Sequence, residues 1–123
     1  MSYELKWTDD RGLQRTFKGS VMADDVLTSV LTVHGDPRFE KIRYIINDFT
    51  NITDYNLDDE DIKVLSAMGK AATLTNPGLK VAIVAHNSEV LNLGEFYCQR
   101  VANSSVNCQT FEDLEACQQW VKC

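Results

Sequence analysis

Two histidines are the residues of this 123-residue sequence best suited to acid–base chemistry, because an imidazole titrates near neutral pH. His86 follows an apolar run of strand type, a place where α/β proteins put ligand-binding groups. The sequence shows no set of Cys, Ser or carboxylate partners for His34 or His86. A hydrolase or transferase would need folding to bring His86 to Asp48 or Asp54. We therefore expect His34 to end a helix, and we keep His86 as a candidate ligand-binding residue.

An acidic group forms the second candidate site for chemistry. Its members are Asp54, Asp58, Asp59, Glu60 and Asp61. A calcium loop of the EF-hand type needs alternating oxygen ligands and a central glycine, and this stretch contains no glycine. Carboxylates in the first turn of a helix complement the helix dipole. We therefore expect a helix start here and no metal site.

No sequence motif for phosphate, dinucleotide, zinc or acyl-transfer chemistry occurs in the chain. The sequence thus predicts no catalytic residue and no cofactor. The four cysteines, Cys98, Cys108, Cys117 and Cys123, form no CxxC pair. We expect them to be free thiols, with Cys98 and Cys117 buried and Cys123 exposed.

The composition is that of a globular protein, with 44% hydrophobic and 24% charged residues. The length predicts one domain covering residues 1–123. A net charge of −6 without a basic cluster argues against binding to nucleic acid or to anionic membranes. No apolar run is long enough for membrane insertion, and no signal peptide is evident. We therefore expect a cytoplasmic protein.

The elements that must position these residues follow the order ββαβαβαβα, which predicts an N-terminal hairpin followed by a mostly parallel sheet with four helices. A turn at Asp9–Gly12, with Gly12 at positive φ, should join the first two strands. The predicted strands are Tyr3–Thr8, Leu13–Gly19, Lys41–Phe49, Leu79–Ala85 and Val106–Gln109. The predicted helices are Ala23–Val33, about Asp58–Thr75, one capped by Asn87 or Ser88 that runs to about Val101, and a last one opened by the capping pattern Thr110–Asp113. Thr50–Asn56 is predicted to be a loop between a strand and a helix.

Three segments carry a resemblance to a known family. They are Gly19–Met22 before the first helix, Tyr44–Ile52 before the second, and Phe39–Asp48. With the element order, they resemble the SpoIIAA-like group of STAS domains, the sulfate transporter and anti-sigma-factor antagonist family. The resemblance implies a small α/β domain that binds proteins and does not catalyse a reaction.

In such antagonists, an Asp-Ser-Ser-Gly type motif at the start of the second helix carries a regulated phosphoserine. The corresponding residues here are Asn56-Leu57-Asp58-Asp59, so the resemblance implies a member without the phosphorylation switch. One hypothesis is that Asp58 imitates a phosphoserine permanently. The favoured interpretation is that Asp58 only caps the helix.

The leading functional prediction is a protein-interaction module with an unknown partner. By the resemblance, its binding residues would be Asp48, Thr50, Thr53, Asp54, Asn56, Leu57, Asp58 and Asp59. The alternative is a carrier or sensor of small apolar molecules, similar to CRAL-TRIO lipid-binding proteins. A homodimer formed by the last strand and the terminal helix with Trp120 is also expected.

Overall fold

The computed structural model describes residues 2–123, and in this range it contains a five-stranded sheet, four α-helices and one short 3₁₀ helix. The strands are β1 (Tyr3–Thr8), β2 (Gly12–Met22), β3 (Tyr44–Asn56), β4 (Lys80–Val84) and β5 (Asn107–Phe111). The helices are α1 (Ala23–His34), α2 (Asp59–Ala72), α3 (Ser88–Val101) and α4 (Leu114–Val121), with the 3₁₀ helix at Pro37–Glu40.

The strands lie in the sheet in chain order, β1-β2-β3-β4-β5. The β1–β2 pair is antiparallel, and the remaining pairs are parallel. This arrangement confirms the predicted order ββαβαβαβα and the mostly parallel sheet. Because parallel strands need crossovers, a helix follows each of β2, β3 and β4.

The helices divide between the two faces of the sheet. Alternate residues of β3 show the division, since side chains along a strand point to opposite faces. Ile45 packs among residues of α1 and α3 such as Val33 and Val101. Ile46, one residue on, packs against Cys117 of α4. Thus α1, α2 and α3 cover one face, and α4 covers the other.

Two details at the strand and helix ends differ from the sequence-based prediction. In the first turn, Arg11 has the positive φ of 63°, and Gly12 instead starts β2. Gly12 lies under the ring of Tyr44, where an added Cβ would be 2.0 Å from the ring. The predicted cap Thr110 lies in β5, and Asp113 caps α4 by accepting a hydrogen bond from the Glu115 amide at 3.1 Å.

The predicted loop Thr50–Asn56 is wrong, because β3 continues to Asn56. The far half of β2 runs beside it, with pairings from Lys18↔Asn51 to Met22↔Asn56. Gly19, at φ 66°, lies at one of two register shifts in this pairing. A strand partner therefore satisfies the backbone of a segment that looks polar enough to be a loop. Only residues 57 and 58 separate the strand from α2.

The expectation of four free thiols is also wrong, because a disulfide joins Cys98 of α3 to Cys108 of β5. The sequence gives no sign of this pairing, since it depends on α3 packing against β5. Cys117 is buried and Cys123 exposed, as predicted. Disulfides are rare in reducing compartments such as the cytosol. The disulfide therefore argues against the cytoplasmic location, which stays a prediction. Within residues 2–123, no helix combines the length and apolar character that crossing a membrane requires.

Candidate functional site

A groove of about 490 Å³ lies where the end of β3 meets the first turns of α2 and α3. Four of its eight lining residues carry carboxylates, and two are leucines. The lining residues are Tyr55, Leu57, Asp58, Asp59, Glu60, Glu89, Asn92 and Leu93. We refer to this surface as the acidic groove. Its charge suits a basic or otherwise electropositive partner.

The two helix starts that frame the acidic groove are held by side-chain caps. Asp58 accepts a hydrogen bond from the Asp61 amide at 3.0 Å, and the Asp61 carboxylate accepts one from the Asp58 amide. This reciprocal capping box confirms the interpretation of Asp58 as a cap. At the start of α3, the side-chain oxygen of Asn87 accepts hydrogen bonds from the amides of Glu89 and Val90.

Tyr55 connects the strand to the opposite wall of the acidic groove. Its hydroxyl donates a hydrogen bond to the Glu89 carboxylate. This hydrogen bond raises the pKa of Tyr55 above its ordinary value, with burial and the nearby negative charges acting in the same direction. The contact joins the β3 end to the first turn of α3 and fixes the spacing of the groove walls.

The predicted partner-binding residues fall into three places. Leu57, Asp58 and Asp59 line the acidic groove, and Asn56 is exposed directly before them. A smaller neighbouring groove contains Thr50, Thr53, Asp54 and His86 among its lining residues.

Asp48 is separate from both grooves. It is only 3% exposed and lies on the α4 face of the sheet beside Cys117. Its Oδ1 accepts hydrogen bonds from the amide and the hydroxyl of Thr50, at 2.9 and 2.7 Å. Asp48 therefore orders the strand locally and has no surface to offer a partner.

His86 and Asp54 share the smaller groove, but the described residues show neither a hydrogen bond nor an ion pair between them. The Asp54 carboxylate instead accepts from the Tyr55 amide at 2.9 Å. A histidine without a partner to orient it is not an acid–base dyad. Among residues 2–123, no group of three metal-ligating side chains is close enough to hold an ion.

A cavity of about 100 Å³ lies between the sheet and helices α1–α3, and sequence reasoning missed it. Aliphatic and aromatic side chains make up most of its wall. Its polar lining residues are His34, Asn47, Tyr97 and Arg15 of β2, and Arg15 is only 5% exposed. The available signal was the alternation Leu13, Arg15, Phe17, in which a charged residue occupies a position that should face the core. Leu57 and Leu93 line both this cavity and the acidic groove.

Comparisons with known proteins identify the class of fold. The chain has a SpoIIAA-like fold: it matches the anti-sigma factor antagonist SpoIIAA in its unphosphorylated form with a TM-score of 0.61. The match covers 96% of each chain at 11% identity. An uncharacterised DUF3478-family protein of SpoIIAA-like fold from Shewanella loihica matches with a TM-score of 0.54, at 16% identity over 97% of this chain and 91% of that one.

The sequence itself matches no family model, and no curated protein matches it. The two structural matches are below 25% identity, so they establish the fold alone. They confirm the resemblance to SpoIIAA-like domains that the sequence segments indicated.

Proposed function

We propose that this protein is a non-enzymatic interaction module of the STAS type, which binds a protein partner at the acidic groove. The observation that carries the proposal is the groove itself, formed by the β3–α2 junction of a SpoIIAA-like fold. Its carboxylates and leucines offer both charge and apolar contact to a basic segment.

The groove is built on fixed elements, which favours a binding role. Capped helix starts form two of its walls, and the Tyr55–Glu89 hydrogen bond joins them. A surface that needs little ordering loses little entropy when a partner binds. Asp58 contributes here as a cap and as one carboxylate of the groove. The proposed module has no serine at this position and hence no phosphorylation switch there.

Charge reversal tests the proposal. The double variant Asp59→Lys and Glu60→Lys changes the groove by four charge units and leaves the Asp58 cap in place. A pull-down from the native host should recover a partner with the unmodified protein and lose it with this variant. Loss is expected because like charges across an interface are strongly unfavourable.

The matched control is Glu112→Lys with Glu115→Lys. These exposed residues lie at the start of α4, so the control makes the same charge change at another helix start. The partner should still be captured by the control variant. Equal capture by both double variants would contradict binding at the acidic groove.

A second candidate function is that of a carrier or sensor of small apolar molecules. The cavity under α1–α3 favours it, because ligand sites are concave and mostly apolar with a few fixed polar groups. The wall shared through Leu57 and Leu93 would let an occupant alter the acidic groove. The two candidates are therefore compatible in one molecule.

The predicted homodimer and the cytoplasmic location remain proposals. The edge strand β5 is available for pairing, but Trp120 packs against Phe111 with ring centroids 5.6 Å apart. This contact removes part of the aromatic surface expected at a dimer interface. A mass of one 13.9 kDa chain by light scattering would contradict the homodimer.

A further inference from the structure

The cavity under α1–α3 contains a buried positive charge, the guanidinium of Arg15. Arg15 lies at the centre of β2, opposite Asn47 of β3. Its Nη1 donates to the Asn47 Oδ1 at 2.6 Å, and the Asn47 amide nitrogen donates to the Ala82 carbonyl at 3.2 Å. Asn47 therefore holds the guanidinium in one orientation, anchored to the neighbouring strand.

The opposite edge of this guanidinium makes no hydrogen bond to the described residues. Nε of Arg15 is buried and has no hydrogen-bond partner among the described residues. Because Asn47 occupies Nη1, the fork formed by Nε and Nη2 is left open. This fork is one of the two edges of a guanidinium that can bind a carboxylate with two parallel hydrogen bonds.

No acidic side chain lines the cavity in the described part of the chain. The other polar groups of the wall are Asn47, His34 and Tyr97, none of which is a carboxylate. Asp48 is close in sequence but lies on the α4 face of the sheet. Arg15 also forms no ion pair within residues 2–123. The positive charge of the cavity therefore has no counter-ion from the protein.

The electrostatic effects agree with an uncompensated charge. Burial lowers the pKa of Arg15 to about 10. Burial also lowers the pKa of His34, and the positive charge of Arg15 lowers it further. An unpaired guanidinium in an apolar cavity is unfavourable, and an apolar residue of similar size would generally be more stable there. A charge kept under these conditions points to a ligand.

We propose that the cavity binds a small apolar monocarboxylate, whose carboxylate pairs with the Nε–Nη2 fork of Arg15 and whose hydrocarbon part fills the apolar space. An engineered apolar cavity of about 150 Å³ holds benzene, so by proportion about 100 Å³ accommodates a hydrocarbon part of about four carbons. A carboxylate fits better than a phosphate dianion because one guanidinium supplies one charge. This proposal rests on the second candidate function and is independent of a protein partner.

The experiment uses isovalerate as the probe and the full chain. Titration calorimetry should show binding, and the NMR signal of the Arg15 Nε–H group should shift as isovalerate is added. Acetate has the carboxylate without the chain, and 3-methylbutan-1-ol has the chain without the charge. Both should bind about tenfold or more weakly, because each lacks one of the two interactions.

Two variants complete the test. Arg15→Met should abolish the preference for isovalerate over the alcohol. Val30→Phe fills the cavity from its wall and should abolish binding of both, which gives a second measure if the first variant folds poorly. The groove variant Asp59→Lys with Glu60→Lys should bind isovalerate as the unmodified protein does.

Three outcomes would overturn the proposal. The first is that isovalerate at millimolar concentration changes neither the calorimetric signal nor the Arg15 signal. The second is that Arg15→Met binds isovalerate as tightly as the unmodified protein does. Binding of the alcohol without the acid would refute the carboxylate site while supporting an apolar carrier. A failed pull-down with intact isovalerate binding would refute only the protein-partner function.

Discussion

Arg15 is a charged residue in a position that is apolar in an ordinary packed α/β core. Its neighbours along the inward side of β2, Leu13 and Phe17, are fully buried and apolar. A guanidinium between them must be stabilised by hydrogen bonds, and Asn47 supplies one at 2.6 Å. This pair forms a polar unit inside the core, in which each side chain provides part of the hydrogen bonding that the other needs.

Removing the two members of this unit should have opposite effects. Arg15→Met should raise the free energy of unfolding by about 1 kcal/mol, because the gain from removing a buried charge is partly offset by the unpaired Asn47 oxygen. Asn47→Leu should lower it by about 3 kcal/mol, because the guanidinium then loses its hydrogen bond. The double variant should exceed the original protein by about 1–4 kcal/mol.

Urea unfolding at pH 7 measures all three variants as one double-mutant cycle. At this pH, Arg15 is protonated in both the folded and the unfolded states, so the unfavourable burial of its charge is fully present. A decrease of more than about 2 kcal/mol for Arg15→Met would show that the guanidinium stabilises the fold. The charge of Arg15 would then be compensated within the protein, and it would not point to a ligand.

At the scale of the elements, the start of α2 decides how the acidic groove is formed. The reciprocal hydrogen bonds of Asp58 and Asp61 end β3 and begin the helix within two residues. Two further carboxylates, those of Asp59 and Glu60, lie in the first turn of α2 near the positive end of the helix dipole. Local charge that looks like a metal or phosphate site is thus explained first by helix capping.

The cap can be tested by two substitutions at one position. Asp58→Ala should lower the free energy of unfolding by about 1 kcal/mol, whereas Asp58→Ser should stay within about 0.5 kcal/mol of the original because serine is an equally good cap. Thermal or urea unfolding gives both values, with Asp59→Ala as the exposed control. If the serine variant loses as much stability as the alanine variant, the capping role is refuted. If it leaves partner capture unchanged, the hypothesis that Asp58 acts as a fixed phosphoserine analogue is refuted.

Some bounds of the helices and strands could be predicted from the sequence, and others could not. The bounds of β1 at Tyr3–Thr8 are confirmed, and α3 ends at Val101 as predicted, because local patterns and caps determine them. The extension of β3 to Asn56 could not be predicted, since it depends on pairing with the far half of β2. The predicted start of α2, at about Asp58, lies one residue before the observed start at Asp59. The cavity was missed because Arg15 looked like one of several scattered basic residues.

At the scale of the whole molecule, the negatively and positively charged groups are unevenly distributed. The chain carries a net charge of −6, and carboxylates are concentrated at the acidic groove, while the positively charged Arg15 is buried in the cavity behind it. Leu57 and Leu93 separate the two sites. A ligand that neutralises Arg15 would therefore act directly behind the surface proposed to bind a partner.

The disulfide links the helix layer to the sheet edge and should contribute to global stability. Cys98 and Cys108 are 10 residues apart, so the link closes a short loop between α3 and β5. Cys98→Ser with Cys108→Ser should lower the free energy of unfolding by about 3 kcal/mol, because the unfolded chain regains the freedom that the loop removed. Urea unfolding without reductant measures this effect, and Cys123→Ser should leave stability unchanged.

Thiol alkylation gives the independent check. In the folded, unreduced protein only Cys123 should react quickly, because Cys117 is fully buried and burial raises the pKa of its thiol to about 12, with the negative charge of Asp48 acting in the same direction. A thiol with so high a pKa stays protonated at neutral pH and is a poor nucleophile. Rapid labelling of Cys98 and Cys108 without reductant would show that the link is absent. The same labelling on protein taken directly from the native host would show whether its compartment is oxidising enough to keep the disulfide.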